Sequence, residues 1–324
     1  MLREFPRALA ILLIPLFLIY SSIFACVKNR HSISQVLAAG AIFTLWCSPH
    51  AAPVNCGAAR ALLNFPIAIG TMKLLDVLIR RDNLPEYTAG PKPSDSIFAL
   101  ILLTELRYES FSPNYVRLPK HIKLFSEPIQ LCIHAAAFAV LQSLPQVPPV
   151  LAYEILLSLY IIFTSMQLLL RYKNSPPLFA PLYLIDSFSG FWAETWHNCF
   201  TAPCMTLAYS PIYKLVLASR LPKSVARVAG VLASFSFMAI FHMYTLAPLL
   251  SQEGVKRIGL FFVVNGIVTV IEVAVWGKKR HWVRAALSWI GELVIASWVV
   301  MAVPFAEGLM NLDWRGICRP REYM

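Results

Sequence analysis

Charge is what this sequence has least of. Only 14% of its 324 residues are Asp, Glu, Lys or Arg, while 58% are hydrophobic. Soluble domains carry roughly a quarter charged residues, so a water-soluble globule is excluded: it would leave much of its apolar sequence facing water. The polytopic membrane class is the one that remains, and the chain is long enough for about eight helices of ~20 residues each. Acidic residues are scarcer still, 17 against 28 basic, giving a formal net charge of +11. The basic residues lie between apolar runs rather than in one patch. That is a topology signal with an attraction for anionic membrane lipid, and it excludes a nucleic-acid partner.

Paired cysteine motifs are also missing. Seven cysteines include no CxxC and no regular spacing, which excludes the disulfide framework of a small secreted domain. They read as buried free thiols. There is no Gly-rich phosphate loop, no HExxH, no Ser-His-Asp order and no carboxylate-rich cluster. Nucleotide hydrolysis, zinc-dependent proteolysis and serine hydrolase chemistry therefore have no support, and no metal is expected. No internal repeat or low-complexity tract is present.

What the chain does have is a series of long apolar runs. Expected spans cover residues 8–26, 33–52, 57–79, 128–144, 150–170, 228–250, 258–276 and 285–306. The first is longer than the ~7–15 apolar residues of a signal peptide and reads as retained. In the third, Lys73 and Asp76 lie three apart on one helix face and can pair. Between residues 80 and 127, Asp82, Pro85, Pro91 and Pro93 break the helix. The apolar patch 97–106 is too short to cross, so this region reads as a long loop with an interfacial helix. Residues 171–227 form a second polar-rich region. Lys28, Arg30, both polar regions (with Arg107, Arg117, Lys120 and Lys123 in the first) and the cluster Lys278-Lys279-Arg280-His281 fall on one side. Arg3, Arg7, Lys256, Arg257 and the C-terminal tail fall on the other. The positive-inside rule makes the first group cytoplasmic and places both termini in the lumen.

The residues that can carry chemistry are few. Phe191-Trp192-Ala193-Glu194-Thr195-Trp196-His197-Asn198 gathers two tryptophans, a carboxylate, an imidazole and an amide. As a helix over 186–200, it places Trp192 and Trp196 on one face and Glu194, His197 and Asn198 on another. Ser187, Ser189 and Gly190 suit its start. The same pattern also describes an amphipathic interfacial helix anchored in an aromatic belt. His242 sits inside an apolar run, with Phe235, Met238, Ala239, Thr245 and Leu246 on its face. An ionisable residue there is a functional candidate, and a neutral imidazole is what a general base requires; the plainer reading is a histidine hydrogen-bonded to a neighbouring helix. Asn265, Thr269 and Glu272 form a polar stripe on the next span, and Ser288 and Glu292 a polar pair on the last. These either line a cavity or join helices. Glu154 and Asp186, near expected span ends, meet water, and the basic residues of 278–284 read as a solvated loop.

These motifs carry a resemblance. Residues 191–197 are similar to the FWxxRWH motif of wax-synthase-like membrane acyltransferases and to the FYxDWWN motif of the wider membrane-bound O-acyltransferase superfamily. Read against the longer motif, Glu194 stands for the acid and His197 for the Asn. His242 matches the family's intramembrane histidine. Phe262-Val263-Val264-Asn265-Gly266 with Glu272, and Met72-Lys73-Leu74-Leu75-Asp76, resemble two further blocks. The chain departs from the pattern at Thr195, where the family has arginine, and at Phe237 and Met243 around the histidine. Its size and span number look most like the fungal branch that acetylates terpenoid and meroterpenoid hydroxyls.

The resemblance implies one all-α, membrane-embedded domain over residues 1–324, with interfacial helices beside its spans. It implies transfer of an acyl group, acetyl in that branch, from acetyl-CoA or another acyl-CoA to a lipophilic alcohol. His242 would be the base and His197 a second catalytic residue. Trp192, Glu194, Trp196 and Asn198 would bind the donor; Asn265 and Glu272 would bind the acceptor; the location would be the endoplasmic reticulum. Two other readings stay open: a terpene cyclase or isomerase using Glu194, Glu272 or Glu292 as a buried acid beside cation-stabilising tryptophans, and a transporter whose passage His242 and Asn265 line.

Overall fold

The computed structural model describes residues 4–51, 54–117, 125–170, 175–277, 279 and 281–302 (Phe5 by its backbone alone). Arg3, Lys120, Lys123, Lys278, Arg280 and the C-terminal tail lie outside the described residues. The helices are α1 Glu4–Ile11, α2 Leu13–Val27, α3 His31–Ala51, α4 Gly57–Ile79, α5 Asp95–Thr104, α6 Glu127–Gln142 and α7 Pro148–Leu170, then α8 Phe188–Gly190, α9 Thr201–Pro203, α10 Ser210–Ala218, α11 Lys223–Leu246, α12 Gln252–Trp276 and α13 Trp282–Val300. A two-residue antiparallel pair, β1 Glu86–Tyr87 with β2 Phe111–Ser112, makes up the strand structure of the described residues. The protein is an all-α polytopic membrane protein.

Among the described residues, seven helical stretches are long and apolar enough to cross a membrane: Pro6–Val27, which joins α1 to α2, and then α3, α4, α7, α11, α12 and α13. The expected fourth span falls short. α6 has 16 residues, about 24 Å at 1.5 Å per residue, against a hydrocarbon core of ~30 Å. Pro128 lies in its first turn, and Pro145 follows its end at Gln142.

The described residues divide into two compact units. One comprises the chain up to residue 115 together with 200–249, and the other comprises 116–199 and the chain from 250 onward. In the first, α2 and α3 pack closely because small residues face each other: Ser34, Ala38 and Ala41 on α3 are buried, and Ser22 of α2 donates to the Ser34 carbonyl at 2.8 Å. The region expected as a loop with an interfacial helix does hold a short helix, α5, and its residues up to 115 pack on this core. α5 packs on α2, burying Phe98, Ala99 and Leu102, while Tyr108 and Phe111 are wholly enclosed.

Asp76 and Lys73 are both buried, but they do not pair with each other as the spacing suggested. Asp76 pairs with Arg80 at 2.8 Å and accepts from the Tyr108 hydroxyl. Lys73 donates to the Glu105 carbonyl at 2.7 Å and lies 3.8 Å from the Tyr108 ring centroid. Arg80 is a local partner, four residues after Asp76, whereas Glu105 and Tyr108 come from a distant segment that no local spacing reveals. Burial, and then the Asp76 carboxylate, hold the Tyr108 phenol far above its ordinary range.

In the second unit α6 and α7 form a hairpin, and α13 packs on α7 and α12. Arg257 of α12 donates to the Trp298 carbonyl of α13 at 2.8 Å. His134 of α6 stacks on Tyr160 of α7 with centroids 3.8 Å apart. Its Nδ1 faces the Gln130 carbonyl, which only accepts, so Nδ1 carries the proton. Nε2 then accepts from the Leu182 backbone N–H at 3.2 Å. That bond ties the polar region 175–199 to the helices.

Two expectations fail in this unit. Glu154 does not meet water: it is fully buried and accepts from Gln146 at 3.0 Å. Arg284 is not part of a solvated loop. It is 4% exposed, because α13 starts at Trp282 and carries Arg284 into its first turn. The cysteines are also mixed: Cys26 is a buried thiol and Cys132 an exposed one, while Cys56 is in a disulfide that no spacing pattern announced.

Candidate active site

The segment 186–200 is not the single α-helix its periodicity suggests. Ser187 caps the start as expected, its Oγ accepting from the Gly190 N–H at 2.9 Å. Gly190 is required there, since a Cβ would lie 2.6 Å from that same Oγ and 2.7 Å from Asp186 Oδ1. After α8 the chain widens into a π-helical turn over Phe191–Thr195, closed by the Trp196 N–H donating to the Phe191 carbonyl at 2.7 Å. Trp196 is already extended, at φ −73° and ψ 154°. The helical face expected to join Glu194, His197 and Asn198 therefore does not form. Glu194 is exposed, His197 half-buried and Asn198 buried.

Aromatic contacts hold Trp196 and His197 in place. Phe191 stacks on Trp196 with centroids 5.6 Å apart. Phe179 meets Trp196 edge-on at 5.1 Å and His197 at 5.6 Å, and the Ala180 N–H donates to the Thr195 carbonyl at 3.0 Å. Sequence reasoning missed Phe179; its signal was another aromatic shortly before the tryptophans in the sequence.

Trp192 is brought to Asn265. Its indole N–H donates to Asn265 Oδ1 at 3.2 Å, and Asn265, fully buried, donates through Nδ2 to the Phe261 carbonyl at 3.0 Å. Glu292 of α13 also hydrogen-bonds Trp192. Glu272 belongs to a different cluster. Its Oε1 accepts from the Phe188 N–H at 2.9 Å and from Ser288 Oγ at 3.0 Å. Its Oε2 accepts from the Ser189 N–H at 3.0 Å and from Arg284 Nη2 at 2.9 Å. A carboxylate at the first N–H groups of a helical segment satisfies donors that have no intrahelical partner. Glu272 thus anchors the tryptophan-bearing segment to α12 and α13. Arg284 and Ser288 are needed for this, and Arg284 was missed. Its signal was an arginine opening an apolar run twelve residues after a glutamate that closes another.

His242 lies in the first unit, on α11. Its Nδ1 is 2.8 Å from the Met238 carbonyl one turn back. A carbonyl only accepts, so Nδ1 is the protonated nitrogen and Nε2 bears the lone pair of the neutral ring. Phe241 meets the ring edge-on at 5.0 Å. Around this turn, Ala68 and Met72 of α4 pack with Phe241 and with Phe65, Phe200 and Phe237. Asn64 donates to the Tyr244 carbonyl at 3.0 Å, fixing α4 to this end of α11. Ala239 and Thr245, on the face of His242, are both buried. Among the described residues there is no group of three or more His, Cys, Asp or Glu that could hold a metal.

Comparison with known proteins adds a sequence relationship. A family described as "Membrane bound O-acyl transferase family" matches residues 175–264, the stretch holding both the tryptophan segment and His242. The chain is similar to "Probable long-chain-alcohol O-fatty-acyltransferase 7" of Arabidopsis thaliana, with 24% identity over 194 residues, 55% of this chain and 57% of that protein. It is also similar to "Probable long-chain-alcohol O-fatty-acyltransferase 1" of the same plant, with 27% identity over 126 residues, 39% of this chain and 36% of that protein. The matched stretches thus span from about a third to just over half of the length of these relatives. No solved structure matches. Residues 175–264 carry the sequence signature of the membrane-bound O-acyltransferase family, on an all-α polytopic membrane protein.

Proposed function

We propose that this protein is an O-acyltransferase that moves an acyl group from acyl-CoA to the hydroxyl of a lipophilic alcohol, the whole chain serving as one enzyme. The observation that carries this reading is the hydrogen bond from His242 Nδ1 to the Met238 carbonyl, which leaves Nε2 as the basic nitrogen. In the proposed step Nε2 takes the acceptor's hydroxyl proton as its oxygen attacks the thioester carbonyl carbon. The tetrahedral intermediate collapses, the C–S bond breaks, and the proton passes from His242 to the departing CoA thiolate. The products are an ester and CoA-SH. General-base help of this kind contributes roughly 10²–10⁴-fold.

We assign the remaining roles from the family motif. His197 or Asn198 donates a hydrogen bond to the oxyanion. Trp192, Trp196 and Glu194 position the donor, and Asn265 and Glu272 serve the acceptor, Glu272 through Arg284. The printed names of the plant relatives specify fatty acyl chains and long-chain alcohols. The narrower reading, acetyl transfer to a terpenoid or meroterpenoid hydroxyl in secondary metabolism at the endoplasmic reticulum, rests on the resemblance in motifs and size.

The test uses membranes containing the protein, labelled acyl-CoAs from acetyl to palmitoyl, and both long-chain and terpenoid alcohols. Label is expected in an organic-soluble ester with the wild type and not with His242→Ala, which still accumulates in membranes. Equal transfer by His242→Ala would sink the proposal, and the preferred donor decides the acyl length. A CoA-independent product of unchanged mass would favour a cyclase or isomerase instead.

A further inference from the structure

Glu292 has no part in the mechanism above. It lies in the middle of α13, a helix long and apolar enough to cross a membrane. An ionisable group at such a depth is costly to keep, and its partner points to its use. Its Oε1 is buried and has no hydrogen-bond partner among the described residues. The contact that the carboxyl does make is a hydrogen bond with Trp192.

The Trp192 indole has a single N–H and no acceptor. Asn265 Oδ1 of α12 already takes that N–H at 3.2 Å. One donor is therefore held by two acceptors, one on α12 and one on α13. The Asn265 amide is itself oriented by its Nδ2 bond to the Phe261 carbonyl at 3.0 Å, and it is wholly buried. Tying the tryptophan segment to the helices does not call for Glu292, since Glu272 and Asn265 already do it. What remains open is the rotation of the indole, because the outer torsion of a tryptophan is broad. Phe191, Phe262 and Phe261 surround the ring, with centroids 4.9, 5.7 and 6.0 Å away. Such apolar rings do not tell one edge of the indole from the other. The N–H marks one edge, and the two acceptors decide where it points.

We infer that Glu292 is a positioning residue: together with Asn265 it fixes the orientation of the Trp192 indole, and through Trp192 it sets the affinity for the acyl-CoA donor. The contact stands on the geometry of the second unit; its effect on the donor rests on the acyltransferase reading above.

The experiment joins indole NMR to kinetics on two variants, Glu292→Met, which has no oxygen acceptor, and Glu292→Gln, which keeps one. The chain is labelled with nitrogen-15 tryptophan in micelles, and the Trp192 signal among the eight indole N–H groups is the one lost in Trp192→Phe. That signal is expected to move more than any other indole signal in both variants, and further in Glu292→Met. In membranes, Glu292→Met is expected to raise KM for acyl-CoA about fivefold, the net worth of one hydrogen bond, with kcat kept. Glu292→Gln recovers most of that loss, and Glu292→Met has no further effect in a Trp192→Phe background. A Trp192 signal unmoved in Glu292→Gln overturns the inference, even where the methionine variant fails to accumulate. So does a rise in KM that persists without the Trp192 N–H. A Glu292→Gln enzyme that loses kcat at unchanged KM uses the carboxyl for proton transfer, which overturns it as well. A wild type without acyl transfer, in which the Trp192 signal still answers to Glu292, removes the acyltransferase reading and leaves the contact standing.

Discussion

Replacing Glu272 by glutamine changes one atom and is expected to cost more stability than any other single isosteric change in the second unit. The carboxylate accepts four hydrogen bonds, two on each oxygen. The glutamine carbonyl can keep the Phe188 N–H and Ser288. Its NH₂ then points at the Ser189 N–H and the Arg284 guanidinium, donor against donor. Removing one member of a buried pair costs about 3–5 kcal/mol, because the other charge stays uncompensated. Both side chains here are 5% exposed or less. The orphaned Ser189 N–H would add ~1–3 kcal/mol if independent, but the two losses share one geometry. We expect about 4 kcal/mol in all.

The double variant Glu272→Met with Arg284→Met removes the uncompensated charge, at the cost of the partners of the Phe188 and Ser189 N–H groups and of the Gly277 and Lys279 carbonyls. It is expected to be more stable than either single methionine variant, with a coupling of about 2–3 kcal/mol. Reversible denaturant unfolding in mixed micelles, followed by tryptophan fluorescence, measures all four corners of the cycle. Losses that add within ~0.5 kcal/mol, or a Glu272→Gln protein as stable as the wild type, would refute the assignment of Glu272 as the anchor of the tryptophan segment.

Other expectations rest on single contacts. Tyr108→Phe removes the hydroxyl that donates to buried Asp76 while leaving the Arg80 pair; a loss of about 1–2 kcal/mol in the same unfolding assay is expected. Gly230→Ala would put a Cβ 2.7 Å from the Tyr209 ring, an overpacking worth ~1–3 kcal/mol, and adding Tyr209→Ala should recover part of the melting temperature. Burial pushes the Cys204 thiol up to about 12, so at pH 8 only roughly one molecule in 10⁴ carries the thiolate there. Iodoacetamide labelling of Cys204, read by peptide mass, should therefore be far slower than that of a free thiol at pH 8 and rise as pH approaches 12. Labelling that plateaus near pH 9 would contradict this.

Apolar runs made most of the fold legible. The first, second, third and fifth expected spans reappear almost residue for residue, and the last three reappear with shifted ends. The shortfall of α6 was harder to see, because an apolar run shows where a helix is and proline-rich flanks decide how much of it is helical. Around the site, local signals worked only where their cause is local. The Ser187 cap was readable because its partner is three residues away. The face joining Glu194, His197 and Asn198 was not, because it assumed a 3.6-residue period that the turn after Phe191 breaks. Lys73 and Arg284 were misread for another reason. Their partners, the Glu105 carbonyl and Glu272, come from other elements, so neighbouring residues in the sequence do not name them.

The anchoring of the tryptophan segment by Glu272 sets an order in time. Phe188 and Ser189 leave the ribosome 84 and 83 residues ahead of the carboxylate that holds their N–H groups, and Arg284 comes twelve residues after Glu272. At ~5–20 residues per second the segment waits several seconds or longer for its partner. A chain arrested before α12 emerges has its tryptophan segment fully synthesised but not yet fastened. Nascent chains of that length should be cut by protease near residue 190, and protection should arrive only when the last two helices have been made.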